Sequence, residues 1–345
     1  MTAEFSLNHR ANNFDLLRLL AAFSVVLSHH FALNKLPEPI FLKYQTLGGL
    51  GVEIFFSISG FLVLQSWQRD PHFFRFMERR LLRIWPGLCC SVFVCALFIG
   101  PLVTTASMKE YFTHPATWQF LGQVFFSFQP NLPGVFNENT YANGMNGVIW
   151  TIPLEMACYV ILAALGLIQF FRAKYLLMGI WLLLIVFYFF GYKIETRIDA
   201  GARPSYLLLY SLFFFSGALV AQFRMHHWAL MKRVATIFGV MGLSLFAYKS
   251  GHLLLAALIL VPCTAVLVGN ASIPVANKFG RFGDFSFGIY IYAYPIQQIA
   301  IWQFPKAPFL LSFICVAIIT LILSYYSWHY LEKVAISYKP KKIAA

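Results

Sequence analysis

The candidates among ionisable side chains inside apolar stretches of this sequence are Arg18, the adjacent pair His29 and His30, Glu53, Glu155, and Asp284 at the start of a stretch. A charged side chain in hydrocarbon costs at least about 2.5 kcal/mol, so those that occur there are functional candidates. A histidine near a carboxylate suits general base catalysis, because the carboxylate orients the imidazole and stabilises its protonated form. This set therefore indicates removal of a proton from a hydroxyl group, although hydrogen bonding between helices, or a proton path, would use the same residues.

The spacing within the first apolar stretch distinguishes two adjacent histidines. Arg18 and His29 are separated by about three helical turns and share a face, whereas His30 is rotated by about 100°. The rise between them is about 16 Å, which puts His29 in the outer half of the membrane if Arg18 lies at the inner interface. Glu53 and Glu155 lie near the outer ends of their own stretches, so we expect these carboxylates and His29 at one depth.

A second cluster is basic and precedes the third apolar stretch. It contains Arg79, Arg80 and Arg83, of which the last two share a helical face. Guanidinium groups suit phosphates, and the positive end of a helix favours anions. Basic residues also flank membrane spans as topology determinants and lipid anchors, and this alternative stays open.

Composition decides the class of fold that positions these residues. The chain has 345 residues, of which 59% are hydrophobic and 11% are charged, too apolar for a soluble domain. About ten stretches are long enough to cross a hydrocarbon core. The sequence predicts an all-α integral membrane protein with about ten transmembrane helices in one bundle, near 16–33, 48–66, 88–106, 147–170, 175–191, 205–222, 233–248, 252–269, 284–301 and 309–331.

The chain has 26 Lys and Arg against 13 Asp and Glu. The positions of these basic residues indicate the orientation of the protein in the membrane and do not indicate nucleic-acid binding. Most basic residues fall on one side if the N-terminus is cytoplasmic, and the positive-inside rule then places both termini in the cytoplasm. The first stretch lacks a cleavage site and is expected to be retained. The six cysteines lie inside predicted spans without paired spacing or nearby histidines, so we expect no metal site.

Domain organisation is simple. We predict a single membrane domain over 1–345, with a core at about 12–332 and a short basic cytoplasmic tail at 333–345. The longest segment between spans, 107–146, is predicted to lie outside the cell membrane, where long loops often bind ligands.

Several short motifs occur in an order that resembles the acyltransferase 3 family of bacterial membrane O-acyltransferases, and the resemblance covers nearly the whole chain. They are the segment from Phe14 through Arg18 to His29, then 51–61 (GVEIFFSISGF), 80–86 (RLLRIWP), 150–155 (WTIPLE) and 286–290 (SFGIY), followed by Pro295.

This resemblance implies an acyltransferase that moves an acyl group, often acetyl, from acyl-coenzyme A to a hydroxyl of a surface glycan, with acyl-coenzyme A as a substrate and no permanently bound cofactor. It implies that His29 is essential and that Arg80 and Arg83 contact coenzyme A. We expect Glu155 or Glu53 to orient His29, and Arg18 to add positive charge. Candidates for the acceptor site are Tyr141, Asn143, Asn146 and Trp150.

Two departures from the family pattern affect these expectations. Glu53 stands where many members have Asp, and Ala293-Tyr294 replaces a common histidine-containing dipeptide before Pro295. Some relatives carry an extra extracytoplasmic domain that completes the transfer, so any such component here would be a separate partner protein. The expected location is the bacterial cytoplasmic membrane.

Two other classes of function fit the same residues. In a proton-coupled transporter, His29, Glu53 and Glu155 would form a proton relay and Arg18 would bind an anion. No internal repeat is visible, which counts mildly against a transporter. In a partner subunit without chemistry, His29 would be replaceable.

Overall fold

The computed structural model describes residues 12–191, 204–271, 273–274 and 276–340. In the first half the helices are α1 (Phe14–Leu33), α2 (Leu47–Arg69), α3 (Phe73–Val94), α4 (Gly100–Val103), α5 (Met108–Thr113), α6 (Pro115–Leu121) and α7 (Thr151–Leu167). In the second half they are α8 (Leu176–Gly191), α9 (Pro204–Gln222), α10 (Leu230–Lys249), α11 (Leu253–Gly269), α12 (Ser286–Gln303), α13 (Phe309–Ser327) and α14 (Lys333–Ser337). A two-residue antiparallel pair, β1 (Ile40–Phe41) with β2 (Gln45–Thr46), joins α1 to α2. The prediction of an all-α fold is confirmed.

Five of the described helical segments are long and apolar enough to cross a membrane: Phe14–Leu33, Leu47–Arg69, Phe73–Val103, Leu230–Lys249 and Phe309–Ser337. Four shorter apolar helices accompany them. Every predicted stretch overlaps a helix, while the number of ten crossings stays a prediction. Large apolar side chains on α10 and α13 are exposed, as lipid-facing surfaces require. The chain is a membrane protein.

Parts of the orientation prediction lie outside the described residues. These are Arg10, Lys193, Arg197, Arg203, Lys341 and Lys342, together with 343–345 of the predicted tail.

The third helix starts earlier than the sequence predicts. α3 begins at Phe73, where 88 was expected. The difference arises because this part of α3 carries arginines, which hydropathy treats as incompatible with lipid, whereas in the structure they face acidic groups and a cavity. Asp70, in the turn before α3, accepts hydrogen bonds from Arg75 Nη2 and Arg79 Nη1, both at 2.6 Å. These guanidinium groups hold the pKa of Asp70 well below its usual range.

The helices pack around α2, which contacts α1, α9 and α11. Its approach to α9 is close enough to require glycine on both sides. A Cβ atom added to Gly60 would lie 1.7 Å from the carbonyl oxygen of Phe214, and one added to Gly217 would lie 1.9 Å from that of Ser57. Small residues let helix backbones pack closely in a membrane, where the hydrophobic effect does not drive helices together.

Replacement of Gly217 by alanine is expected to lower the free energy of unfolding by about 1–3 kcal/mol, because the added methyl group forces α9 away from α2. Thermal unfolding of the purified protein in detergent measures this change. The matched control is Gly239→Ala in α10, where no atom lies within 4 Å of the added methyl group. Equal melting temperatures for the two variants would contradict the close packing of α2 and α9.

Candidate active site

A cavity of about 310 Å³ lies among α1, α2, α3, α7 and α12. Residues of α2 from Val52 to Arg69 contribute to its wall, and those seventeen positions correspond to about 26 Å along the helix axis. The cavity is therefore long and narrow, a shape that suits an extended ligand. The charged residues on its wall are Arg18, Arg69, Arg80, Arg83, Glu155 and Lys339.

Near the end of the cavity that Arg69 marks, two arginines are paired with two carboxylates. Arg18 Nη1 lies 3.3 Å from Asp284 Oδ2, and Arg83 Nη2 lies 2.5 Å from the same oxygen. Arg83 Nη1 also lies 3.2 Å from Glu332 Oε2. A charge taken out of water costs several kcal/mol unless it is paired, so these contacts keep both arginines within the bundle. The network ties α1 and α3 to residues beside α12 and α14.

Arg80 lies on the same wall but differs from its neighbours in its contacts. Its Nη2 atom is 3.5 Å from the Ser66 hydroxyl, its Nε atom is buried without a hydrogen-bond partner, and no described carboxylate forms an ion pair with it. A buried guanidinium group without a counter-charge is unfavourable. The charge of Arg80 is therefore not neutralised by any carboxylate of the described residues.

Glu155 faces the middle of the cavity from α7. One carboxylate oxygen, Oε1, accepts hydrogen bonds from the Ser59 hydroxyl at 2.6 Å and from the Tyr159 hydroxyl at 2.5 Å. The other oxygen has no hydrogen bond to a described residue and is free to accept one from a ligand. The pair of hydroxyl donors fixes the direction in which this free oxygen points.

Contacts between α1 and α2 show the depth of each predicted residue. A Cβ atom added to Gly48 would lie 2.8 Å from Ser28 Cβ, so His29 is level with the first turn of α2. Glu53 is five positions further along α2, about 8 Å deeper. Ser59, whose hydroxyl donates to Glu155 of α7, is about 17 Å deeper than Gly48.

The expectation that His29, Glu53 and Glu155 converge at one depth is therefore wrong. The reason is that α7 starts inside the bundle, where its first residue, Thr151, has its hydroxyl 2.7 Å from the Tyr290 hydroxyl of α12. The segment before α7 fills the space between this point and the outer surface. Glu155 consequently lies near the middle of the cavity, not near its outer end.

Glu53 is fully buried, and its Oε1 atom accepts a hydrogen bond of 2.8 Å from the Tyr44 hydroxyl. Among the described contacts, neither Glu53 nor Glu155 is hydrogen-bonded to His29. The expected carboxylate that orients the imidazole is thus not in place in this conformation.

The two adjacent histidines have different surroundings. His29 is half-buried and its ring contacts the edge of Tyr294, with ring centroids 5.5 Å apart. His30 is fully buried against Phe309 and Phe313 of α13, and neither of its ring nitrogens has a partner. His29 therefore faces α12, which contributes residues to the cavity wall, whereas His30 faces α13, which does not.

The aromatic ring that contacts this histidine lies just beyond the cavity wall. Tyr290 lines the cavity, and Tyr294 lies one turn further along α12 toward His29. A Cβ atom added to Gly147 would lie 2.9 Å from the Tyr294 ring, so the loop before α7 packs directly on it. Tyr294 belongs to the dipeptide in which this sequence departs from the family pattern.

The four acceptor-site candidates lie away from the cavity wall. The amide of Asn146 is fully buried and donates to the carbonyl of Ile291 at 2.9 Å, so it cannot touch an acceptor without a change in the loop. Asn143 accepts a hydrogen bond from the Gly134 amide within the loop. Trp150 packs on aromatic rings of α9, and Tyr141 is exposed at the surface. Of the four, Tyr141 is the one most accessible from outside.

Sequence reasoning assigned no role to several residues of this site. Asp284 was noticed only as an ionisable group at the start of a span, and Glu332 follows the last apolar stretch, where acidic residues are ordinary. Lys339 belongs to the predicted basic tail. Asp284 and Glu332 pair with arginines of α1 and α3 that are more than two hundred positions away in the sequence, so no local pattern indicates them.

The comparisons with known proteins point in one direction. A family model described as an acyltransferase domain matches residues 12–329. The chain is 33% identical over 332 residues to an O-acetyl transferase of Shigella phage Sf6, covering 94% of this chain and 96% of that protein. It is 30% identical to Nodulation protein 10 of Rhizobium leguminosarum bv. viciae, over 84% of this chain and 83% of the relative. No solved structure matches at a comparable level.

Proposed function

The chain belongs to the acyltransferase 3 family and is an acyltransferase, and from that premise we propose that it transfers an acyl group, acetyl in the first instance, from acyl-coenzyme A to a hydroxyl of an extracytoplasmic glycan. The observation that carries this proposal is the long cavity, which has an unpaired arginine near one end and approaches a histidine at the other. Acetyl is favoured because the phage relative is named an O-acetyl transferase.

The donor fits the cavity in one direction. Its phosphates bind at Arg80 and Arg83, level with Ser66 of α2, and its arm follows α2 outward to Val52. Those fourteen positions correspond to about 21 Å. The thioester then lies beside Tyr290 and Thr151, about 6 Å in depth from the level of His29.

The transfer step begins when an acceptor hydroxyl reaches His29 from the outer side. His29 takes the hydroxyl proton, the oxygen bonds to the thioester carbonyl carbon, and the carbon–sulfur bond breaks. The proton passes from His29 to the leaving thiolate, which gives an ester and free coenzyme A thiol. A variant of this route has His29 carry the acyl group transiently. In either case the Tyr294 ring must move aside.

Glu155 has a role that differs from the one its sequence suggests. Its partner Ser59 is about 10 Å along α2 from Ser66, the partner of Arg80, so Glu155 is at the level where the amide groups of the donor arm pass. Its free oxygen accepts a hydrogen bond from one N–H of the arm. Glu53 lies between the levels of Glu155 and His29 along α2, and it would orient His29 only after a rearrangement that releases it from Tyr44. Arg18 adds positive charge on the donor side.

The Glu155→Gln variant is expected to raise the KM for acetyl-coenzyme A about tenfold with little change in kcat, because the amide keeps Oε1 for Ser59 and Tyr159 but replaces the free acceptor by a donor. Steady-state kinetics with purified protein measure both constants. Tyr159→Phe, which removes a donor to Oε1 and leaves the free oxygen, serves as control and has a smaller effect. A selective fall in kcat would instead return Glu155 to the chemical step beside His29.

The acceptor side and the location follow from orientation. We propose that the protein lies in a bacterial cytoplasmic membrane with both termini in the cytoplasm, so that the donor enters from inside and the glycan from outside. Tyr141 is exposed and would contact the acceptor directly, whereas the loop containing Asn143 and Asn146 before Trp150 would contact it only after the loop rearranges. Membrane lipids surround the bundle, and any extracytoplasmic component that completes the transfer would be a separate partner protein.

The test compares surface glycans, by mass spectrometry, from cells with and without the gene. Loss of O-acetyl groups on deletion and their return on complementation support the proposal. In parallel, protein in lipid nanodiscs receives acetyl-labelled coenzyme A and the isolated glycan. Label that becomes covalently attached to the glycan, with release of thiol, is expected of the enzyme, whereas proton-driven movement of an unmodified substrate would identify a transporter.

A further inference from the structure

The C-terminal segment returns to the cavity after α14. Lys339 lies two residues beyond the end of that helix, is half-buried, and forms part of the cavity wall together with Arg69, Arg80 and Arg83. A residue that counts, in the sequence, only as part of a basic tail therefore contributes to the donor end of the cavity.

The charges around Lys339 do not balance. Arg18 and Arg83 are paired with Asp284 and Glu332, as described above, and Arg79 is paired with Asp70. Across the described ranges, neither Arg80 nor Lys339 has a carboxylate within ion-pair distance. Two positive charges on one wall are thus left for a ligand to neutralise.

The protonation of Lys339 responds to the same surroundings. Burial, and then the guanidinium groups of Arg80, Arg83 and Arg79, lower its pKa to about 7, against a smaller opposing effect of Asp284. Near neutral pH its ammonium form is therefore costly while the wall carries only cations. A bound anion removes that cost, because it favours the charged form.

We propose that Lys339 and Arg80 together bind a phosphate group of the donor nucleotide, an inference that rests on the proposed function. A phosphate monoester carries a charge between about −1.5 and −2 near pH 7 and offers three acceptor oxygens. The guanidinium group supplies a planar pair of donors, and the ammonium group supplies a point charge. Both residues lie at the end of the cavity where the nucleotide remains while the arm enters.

The experiment measures binding of two donors to the full-length protein in nanodiscs: acetyl-coenzyme A and its analogue without the 3′-phosphate. Lys339→Ala is expected to weaken binding of acetyl-coenzyme A about 10- to 100-fold, as for loss of a charge-assisted hydrogen bond. If Lys339 binds the 3′-phosphate, the variant weakens binding of acetyl-coenzyme A and leaves binding of the analogue close to its wild-type value. If it binds the pyrophosphate, the variant weakens both donors by the same factor.

The matched control is Lys333→Ala, which removes an exposed lysine from the same C-terminal segment and is expected to bind both donors as the wild type does. Lys339→Arg, which keeps the positive charge, is expected to recover most of the affinity. Unchanged affinity in Lys339→Ala, or equal losses in both alanine variants, would overturn the inference. Failure of the wild type itself to bind or use acetyl-coenzyme A would instead overturn the proposed function.

Discussion

Replacing His29 by alanine is expected to lower acyl transfer by about 10²- to 10⁴-fold, the contribution typical of a general base. His29 is the histidine that faces α12 and the outer end of the cavity, and no described carboxylate or second histidine is hydrogen-bonded to it and placed to take over the proton. Release of free thiol from acetyl-coenzyme A in the presence of the glycan measures the rate. Binding of the donor is expected to stay within a few-fold of wild type, because the histidine lies beyond the cavity wall.

The control for His29 is its neighbour. His30→Ala removes a ring that packs on Phe309 and Phe313 and is expected to reduce stability while keeping the turnover of the folded protein. Wild-type turnover in His29→Ala would remove the histidine from the mechanism. Equal losses of turnover in both variants would show that α1 as a whole, and not one imidazole, is required.

Replacing Arg80 by alanine is expected to raise the KM for acetyl-coenzyme A about 10- to 100-fold without lowering the melting temperature. Both the rise in KM and the unchanged melting temperature follow from the contacts of Arg80. Arg80 has no carboxylate partner in the described structure, so its removal deletes an uncompensated buried charge as well as the phosphate contact. Kinetics with acetyl-coenzyme A, and with a short acetyl thioester that lacks the nucleotide, measure the first effect, and thermal unfolding measures the second.

Arg83 provides the contrast. Its removal leaves Glu332 with only the hydroxyl of Ser327 as a described hydrogen-bond partner, and takes one of two arginines from Asp284. Breaking a buried ion pair costs about 3–5 kcal/mol, so Arg83→Ala is expected to unfold at a clearly lower temperature.

The short thioester is the control for Arg80, and wild type and Arg80→Ala should use it equally well. A KM that rises equally for both donors would show that Arg80 acts on the shape of the cavity and not on phosphate.

The helices were predictable because each apolar run in lipid must satisfy its own backbone hydrogen bonds. The start of α3 was not predictable, because a hydropathy scale treats every arginine as charged, whereas Asp70, Asp284 and Glu332 neutralise three arginines of this helix. The resemblance in motifs correctly indicated the family, and it singled out Arg80 and Arg83, which do share a cavity wall.

Depth was the part of the site that the sequence could not give. The position of Glu155 depends on where α7 begins, and that depends on a loop whose buried Asn146 and packed Gly147 fill the outer part of the bundle. Counting residues from the end of an apolar run put this carboxylate beside His29. Only the hydrogen bond from Ser59, near the middle of α2, puts it about 17 Å away along that helix.

The ring of Tyr294 has a consequence for the cell's energy supply. The cavity follows α2 for about 26 Å, most of the thickness of a hydrocarbon core of about 30 Å. Such a passage would let protons leak across the membrane and dissipate the proton gradient if it opened at both ends. Tyr294 packs against His29 and Gly147 just beyond the cavity wall, so the two substrates must meet there without leaving a continuous file of water through the bundle.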